Sequence, residues 1–306
     1  MGNHLACPDD GAAPLTAAGR DGELVCPRCR RRFPSHDGIW ELLPASLVAP
    51  QATTGSGDVA ARRCEMDIRD RESAIYDELY ADDEFRYELA TYVRLLDPQR
   101  DDVILDVGAG TGRVVKEYAS RCAAVSCADY SRQSLRFLLA RKDLDPRRIE
   151  AVLADATALP FAERSFDRVV SLSMLCFLPS DALRHQFLAH VRRVLRPGGV
   201  FVVSTYHYAA VKRLWAAFGR TEGALPSGLQ SGGISYRNET EADFRRDLEA
   251  HFAIEELRGV CHRVPFVSRA SRRLSCRLDA YLGGIDAARK IFATEIVARC
   301  SLRAAA

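Results

Sequence analysis

Cys7, Asp10, Cys26 and Cys29 stand at the spacing C-x2-D-x15-C-x2-C, in two short turns that each open on Cys-Pro. A turn of this kind aims two side chains at one point. Two such turns can therefore hold one tetrahedral ion, which replaces a core too small to form unaided. Thiolates are the usual ligands of a closed structural zinc site. Asp10 stands where the second Cys is expected, and its carboxylate oxygen is an acceptable but less common substitute. The alternative is a metal-free module held by Leu5, Leu15, Val25, Phe33, Ile39 and Trp40.

A second set of residues begins at Asp106, in Leu-Asp106-Val-Gly108-Ala109-Gly110-Thr-Gly112-Arg113. Glycines at this spacing make a tight turn between a strand and a helix, where a ligand approaches the backbone closely. The dinucleotide fingerprint is G-x-G-x-x-G. Here the third glycine comes one residue early and Arg113 takes its place. Asp106 argues further against a pyrophosphate, because a carboxylate two residues before the first glycine repels an anion and attracts the ammonium of a methionine moiety. Asp129, 21 residues beyond Gly108, is placed to accept hydrogen bonds from ribose hydroxyls, as an acid does in dinucleotide folds. Tyr130 follows it. Asp155 and Ala156 end the next apolar run, where an acid and adjacent backbone groups can take an adenine edge, and Ser171 ends the run after that.

These residues need strands to carry them. Apolar runs at 101–107, 124–128, 151–154, 169–172 and 200–204 alternate with helical patterns, the mark of a doubly wound parallel sheet, whose ligands sit at the carboxyl ends of the strands. A helix over 241–250 and strands over 252–257 and 291–298, the last antiparallel, bring the sheet to seven strands. The α/β reading is thus a mostly parallel, seven-stranded, Rossmann-like sheet with a small zinc-ribbon-like module in front. The divisions are 1–44 for the module, 45–63 for a Pro/Gly/Ser-rich linker, and 64–306 for the main domain with an insertion at 206–236.

The chain has 306 residues, with 43 Lys+Arg against 41 Asp+Glu. Near-neutral charge gives no field of one sign to favour nucleic acid or membrane. There is no membrane span and no basic start followed by an apolar stretch. Ten cysteines spread along the chain fit a reducing cytoplasm better than a disulfide framework.

In order, Leu-Asp106-Val-Gly-Ala-Gly-Thr-Gly, Asp129, Asp155-Ala-Thr-Ala-Leu-Pro-Phe, Ser-Phe-Asp167-Arg-Val-Val and Leu195-Arg-Pro-Gly-Gly-Val-Phe-Val-Val resemble the motif series of class I S-adenosylmethionine methyltransferases, in particular the broad subgroup that includes quinone-biosynthesis enzymes. The resemblance implies S-adenosylmethionine as cofactor. The glycine loop and Asp106 would hold its methionine end, Asp129 its ribose, and Asp155 with Ala156 its adenine. It also implies that the helical stretch 64–96 covers the cofactor, bringing Tyr80 or Tyr76 against it, with core packing as the alternative for each ring. The front block, from Leu5-Ala-Cys-Pro-Asp-Asp10 to Leu42-Leu-Pro44, resembles the small zinc-binding activators that partner methyltransferases of the translation apparatus, and the module that opens ribosomal-RNA guanine methyltransferases.

Methyl transfer from a sulfonium asks mainly for in-line placement, with a general base only where the acceptor must lose a proton. Leu175-Cys176-Phe177 replaces the aromatic or His pair frequent in the family after the fourth strand. His207, in Tyr206-His207-Tyr208, is the candidate base, with a structural histidine as its alternative. Cys176 lacks a basic neighbour. Arg269, Arg272, Arg273 and Arg277 share a helical face that could hold phosphate or lie in solvent. Three functions follow: methylation of a small molecule in a lidded pocket, methylation of ribosomal or transfer RNA gripped by the front module, and a non-catalytic S-adenosylmethionine-binding subunit.

Overall fold

The computed structural model describes residues 4–18, 22–48, 57–79, 86–219, 225–229, 233–262 and 281–303. The front module opens with an antiparallel sheet of β1 (Thr16–Ala18), β2 (Glu23–Val25) and β3 (Arg32–Phe33). A hairpin of β4 (Ser35–His36) and β5 (Ile39–Glu41) follows, turned at Asp37-Gly38, where both residues take positive φ. Asp-Gly suits that mirror-image turn, since glycine meets no Cβ penalty there. Helices α1 (Ala45–Val48), α2 (Gly57–Leu79) and α3 (Arg86–Leu96) come next, so α2 starts inside the stretch read as linker.

The alternating part runs β6 (Val103–Val107), α4 (Val115–Tyr118), β7 (Ala124–Asp129), α5 (Arg132–Leu139), β8 (Ile149–Leu153), β9 (Phe166–Ser171), α6 (Asp181–Val194) and β10 (Leu195–Tyr206). It continues with α7 (Ala210–Ala217), β11 (Ser227–Leu229), β12 (Ser235–Arg237), α8 (Glu241–Glu249), β13 (Phe252–His262), α9 (Asp286–Phe292) and β14 (Ala293–Leu302). Among the described residues the main sheet is mixed and has nine strands, in the order β13-β14-β10-β9-β6-β7-β8-β5-β4. This corrects the expected seven. The two extra strands come from the front module: β5 pairs parallel with β8, setting Ile39 opposite Ala151 and Glu41 opposite Leu153. All five residues of β8 are buried, and its outer N–H and C=O groups need partners that a two-strand addition supplies. β14 runs antiparallel to both β10 and β13, as expected for the last strand.

The chain divides into two compact units. The first comprises Met1–Tyr76, Pro98–Val169 and Gln186–Gly199; the second comprises Asp77–Asp97, Val170–His185 and Val200–Ala306. In the first, Ile104, Leu105, Val125, Cys127, Val152, Leu135 and Leu138 form the core, and the module is fastened to it beyond the β5–β8 pairing. The Ala6 N–H donates to the Pro160 carbonyl at 2.9 Å, the Ala162 N–H donates to the His4 carbonyl at 2.7 Å, and the His4 ring lies 2.9 Å from Glu150 Oε2 and stacks on Phe161. In the second unit, Arg184 is wholly buried on α6. It donates to Glu239, to Asp247 Oδ2 and, at 2.9 Å, to the Leu175 carbonyl, so the ion is paired on every side.

The edge pairing makes a stability prediction. Ile39 is fully buried, and Ile39→Ala should lower the unfolding free energy of the main transition by about 2–5 kcal/mol in a denaturant titration. A main transition left where it was would mean that the module folds apart from the sheet.

Candidate functional site

In the first unit three acids end or follow three strands, side by side. Asp106, in β6, is buried, and its Oδ2 accepts from the Tyr118 hydroxyl at 2.6 Å. Burial pushes its pKa up to about 7; the Tyr118 hydrogen bond opposes this and the nearby charge of Asp129 adds to it. Asp129, the last residue of β7, accepts from the Gly110 N–H on Oδ2 and from the Ser131 N–H on Oδ1, both at 2.8 Å. Burial raises its pKa as well, against the pull of those two N–H groups. Asp155, after β8, accepts from the Thr157 N–H at 2.8 Å and hydroxyl at 2.9 Å, which caps the short turn that begins at Ala156.

The glycine turn is built for this crowding. The N–H groups of Gly108 and Ala109 donate to the Ala128 carbonyl, tying the turn to β7. Gly110 takes a φ of 53° while giving its N–H to Asp129. Gly112 takes a φ of 79°, which strains any other residue, and a Cβ there would lie 3.0 Å from the Leu138 side chain on α5, which would have to shift.

The resemblance implied a covering helix within 64–96; the polar face that α2 turns toward these strand ends was not read from the sequence. Arg62, Glu65, Arg69 and Asp70 lie on one face of α2, at i, i+3, i+7 and i+8. Arg62 pairs with Asp155 and donates to Thr157 Oγ1 at 3.0 Å. Glu65 is hydrogen-bonded to the Tyr130 side chain, and burial raises its pKa. Asp70 Oδ1 accepts from the Ser131 hydroxyl at 2.6 Å and the Gln133 N–H at 3.0 Å, at the start of α5. The expected signal in this stretch was a tyrosine. Tyr80 lies outside the described residues, and Tyr76 ends the part of α2 that belongs to this unit.

In the second unit Ser171 is fully buried at the end of β9. His207 is also buried, with its Nδ1 donating to the Ala293 carbonyl at 3.1 Å and its backbone N–H donating to the Thr294 carbonyl at 2.9 Å. Burial drives its pKa down to about 4, only partly offset by the Ala293 carbonyl. Cys176 is buried and gives its thiol to the Ser173 carbonyl. A polar nest lies in this unit where no sequence motif marked one. Glu295 Oε1 accepts from the hydroxyls of Tyr92 at 2.9 Å, Ser173 at 2.8 Å and Ser204 at 2.5 Å, and the Cys261 thiol donates to Glu88 Oε2 at 2.9 Å. A lone acid inside the apolar run 293–298 was the available signal.

The four front-module residues do come together. All four ligand atoms of Cys7, Asp10, Cys26 and Cys29 lie within 4.8 Å of one another. Cys7 Sγ and Cys29 Sγ are 3.7 Å apart, and Cys26 Sγ is 3.4 Å from Asp10 Oδ2. Two sulfurs each about 2.3 Å from one tetrahedral ion lie about 3.8 Å apart, so the thiol pair already has the required edge. Cys26 Sγ accepts from the N–H groups of Arg28 and Cys29 at 3.4 and 3.3 Å. Burial pushes the Cys7 thiol up to about 12 when no cation faces it. The donor set fits zinc.

Comparison with known proteins agrees with both halves. Residues 105–203 match the methyltransferase domain family and residues 3–38 match the Trm112p-like protein family. The chain therefore joins an S-adenosylmethionine-type methyltransferase domain, of Rossmann-like fold, to an N-terminal Trm112-like domain. It is 34% identical over 113 residues to the methyltransferase GfsG of Streptomyces halstedii, 34% over 146 residues to a malonyl-[acyl-carrier protein] O-methyltransferase of Geobacter sulfurreducens, and 30% over 131 residues to a demethylmenaquinone methyltransferase of Thermobifida fusca. These matches take in 36%, 47% and 42% of this chain and span 39%, 51% and 54% of the respective relatives. Among solved structures, a chain of the complex between the Haloferax volcanii Trm112 methyltransferase activator and a methyltransferase shares the fold with a TM-score of 0.55 at 16% identity, covering 77% of this chain and 98% of that one. The 1,6-didemethyltoxoflavin-N1-methyltransferase of Burkholderia thailandensis does so with 0.54 at 17%, covering 91% of this chain and 98% of that one.

The cluster predicts about one zinc per chain in protein purified without chelator, by elemental analysis, and a fall below about half an equivalent in Cys26→Ser. Wild-type protein free of zinc would mark the site as one that no longer binds metal.

Proposed function

We propose that this chain transfers the methyl group of S-adenosylmethionine to a small-molecule acceptor. The observation that carries the reading is the set of three buried acids around one glycine turn, Asp106, Asp129 and Asp155, at the carboxyl ends of adjacent strands in a domain of the methyltransferase family. Asp106, with Gly108, Ala109, Gly110 and Gly112, holds the ammonium end of the cofactor. Asp129 takes the ribose. Tyr130, Asp155 and Ala156 frame the adenine. When bound, the cofactor supplies an electrophilic methyl on a sulfonium, and the protein's part is to place the acceptor in line with it and keep water away.

The names of the relatives favour small or carrier-borne acceptors, since those proteins methylate malonyl groups, menaquinone precursors and a toxoflavin precursor by their titles. The absence of a strong net charge agrees. The RNA reading leans on the Trm112-like domain, because the arginine face at 269–277 lies outside the described residues. Here that domain is engaged with the edge of the sheet, which suits an in-chain stabilising part. A cytoplasmic setting fits the free thiols, and no helix among the described residues is long and apolar enough to cross a membrane. His207 is a weak choice of base: with a pKa of about 4 and Nδ1 committed to a carbonyl, it suits a packed strand-end role.

Asp129→Ala should weaken binding of S-adenosylhomocysteine by about 1–3 kcal/mol in calorimetry, through loss of charge-assisted hydrogen bonds. Unchanged affinity, or tight binding of NAD by the wild type, contradicts the cofactor assignment. Incubating the protein with radiolabelled S-adenosylmethionine and separate metabolite and RNA fractions should label the metabolite fraction, whereas label in RNA alone overturns the acceptor class.

A further inference from the structure

Each oxygen of Asp129 already accepts one backbone N–H, which leaves one further lone pair on each for a ligand. A second acceptor lies beside it. Among the described residues Glu65 Oε1 is a buried side-chain oxygen that accepts no hydrogen bond. Its nearest cation, Arg69, stands 3.8 Å away through Nη2 and is shared with Glu72 at 3.9 Å, too far in either direction to donate well. The carboxylate is hydrogen-bonded to the Tyr130 side chain and lies near enough to Asp129 for that charge to act on it.

A buried carboxylate oxygen left without a donor is destabilising, so its persistence beside Asp129 and Tyr130 calls for a donor from outside the chain. The surrounding contacts say which kind. Arg62, one turn earlier on α2, reaches Asp155, where the adenine is placed; Asp70, further along, reaches Ser131 at the start of α5. Glu65 lies between them, opposite Asp129 and Tyr130. An adenosyl ligand has its ribose between its adenine and its amino-acid end, and the ribose presents two hydroxyl donors on one edge.

We propose that Glu65 is a second ribose-binding carboxylate, accepting one hydroxyl of the adenosyl diol on Oε1 while Asp129 accepts the other. The assignment rests on the cofactor reading above. It makes α2 part of the binding site rather than a cover over it, with specificity for a diol written into two acids from different elements.

Calorimetry with S-adenosylhomocysteine and its 2′-deoxy and 3′-deoxy ribose analogues tests the assignment on wild type, Glu65→Ala and Glu65→Met. Both variants lack an acceptor, and Glu65→Met keeps the length of the side chain should the shorter one fail to fold; a melting curve identifies the folded variants. The wild type should lose about tenfold in affinity for each deoxy analogue. The variants should bind S-adenosylhomocysteine about tenfold more weakly and lose nothing further for one of the two analogues, while keeping the penalty for the other. Wild-type affinity in a folded variant, or both penalties retained, overturns the role of Glu65 and leaves the cofactor reading intact. A wild type that binds no S-adenosylhomocysteine overturns the cofactor reading, and the role of Glu65 falls with it.

Discussion

Three carboxylates held out of water at the ends of neighbouring strands are the constraint on which this structure depends. Burial raises the proton affinity of Asp106 and Asp129, and the charge of Asp129 adds to the rise at Asp106, while the fold gives each of the three acids its own donor. Tyr118 reaches back from the helix after the glycine turn to Asp106. The turn itself gives the Gly110 N–H to Asp129, which requires the positive φ that glycine supplies. Arg62 comes from α2 to Asp155. These donors stabilise the acids only in part, since the pKa of Asp106 still stands at about 7 because of burial.

The front module stands in a similar relation to the sheet. Its own strands are two or three residues long, too short to form a stable core without help. It obtains that help twice, from the cluster of Cys7, Asp10, Cys26 and Cys29, and from the edge of β8. The sheet gains in turn, because an exposed parallel edge is a site for unwanted pairing. A domain elsewhere recognised as a Trm112p-like protein is here continuous with the sheet of the methyltransferase domain.

Much of this was legible beforehand. Apolar runs separated by helical patterns located β6 to β10, β13 and β14, and the glycines and acids singled out in the sequence lie at the turn after β6 and toward the ends of β6, β7 and β8. The ninth and eighth strands were not legible, because Ile39 and Trp40 form a run too short to show a period and read equally well as module core. The contribution of α2 was hidden for a related reason: Arg62, Glu65 and Arg69 look like the solvated face of an amphipathic helix until the acids opposite them are seen. Glu295 was lost inside a β-strand pattern, where a single acid carries no spacing. The base candidate His207 was chosen for its residue type, and burial, which sequence does not display, lowers its basicity.

The central claim is that Asp106 is a buried acid awaiting a cation, and the most direct measurement is the proton exchanged when the ligand binds. Calorimetric titration of S-adenosylhomocysteine in buffers of different ionisation enthalpy counts that proton. With a free pKa of about 7 that falls when the ammonium arrives, binding should release about half a proton at pH 7 and nearly one at pH 6, with affinity rising as pH increases from 6 through 7. The Asp106→Asn protein should show no such release. Binding in the wild type with no proton released at pH 6 would contradict the account.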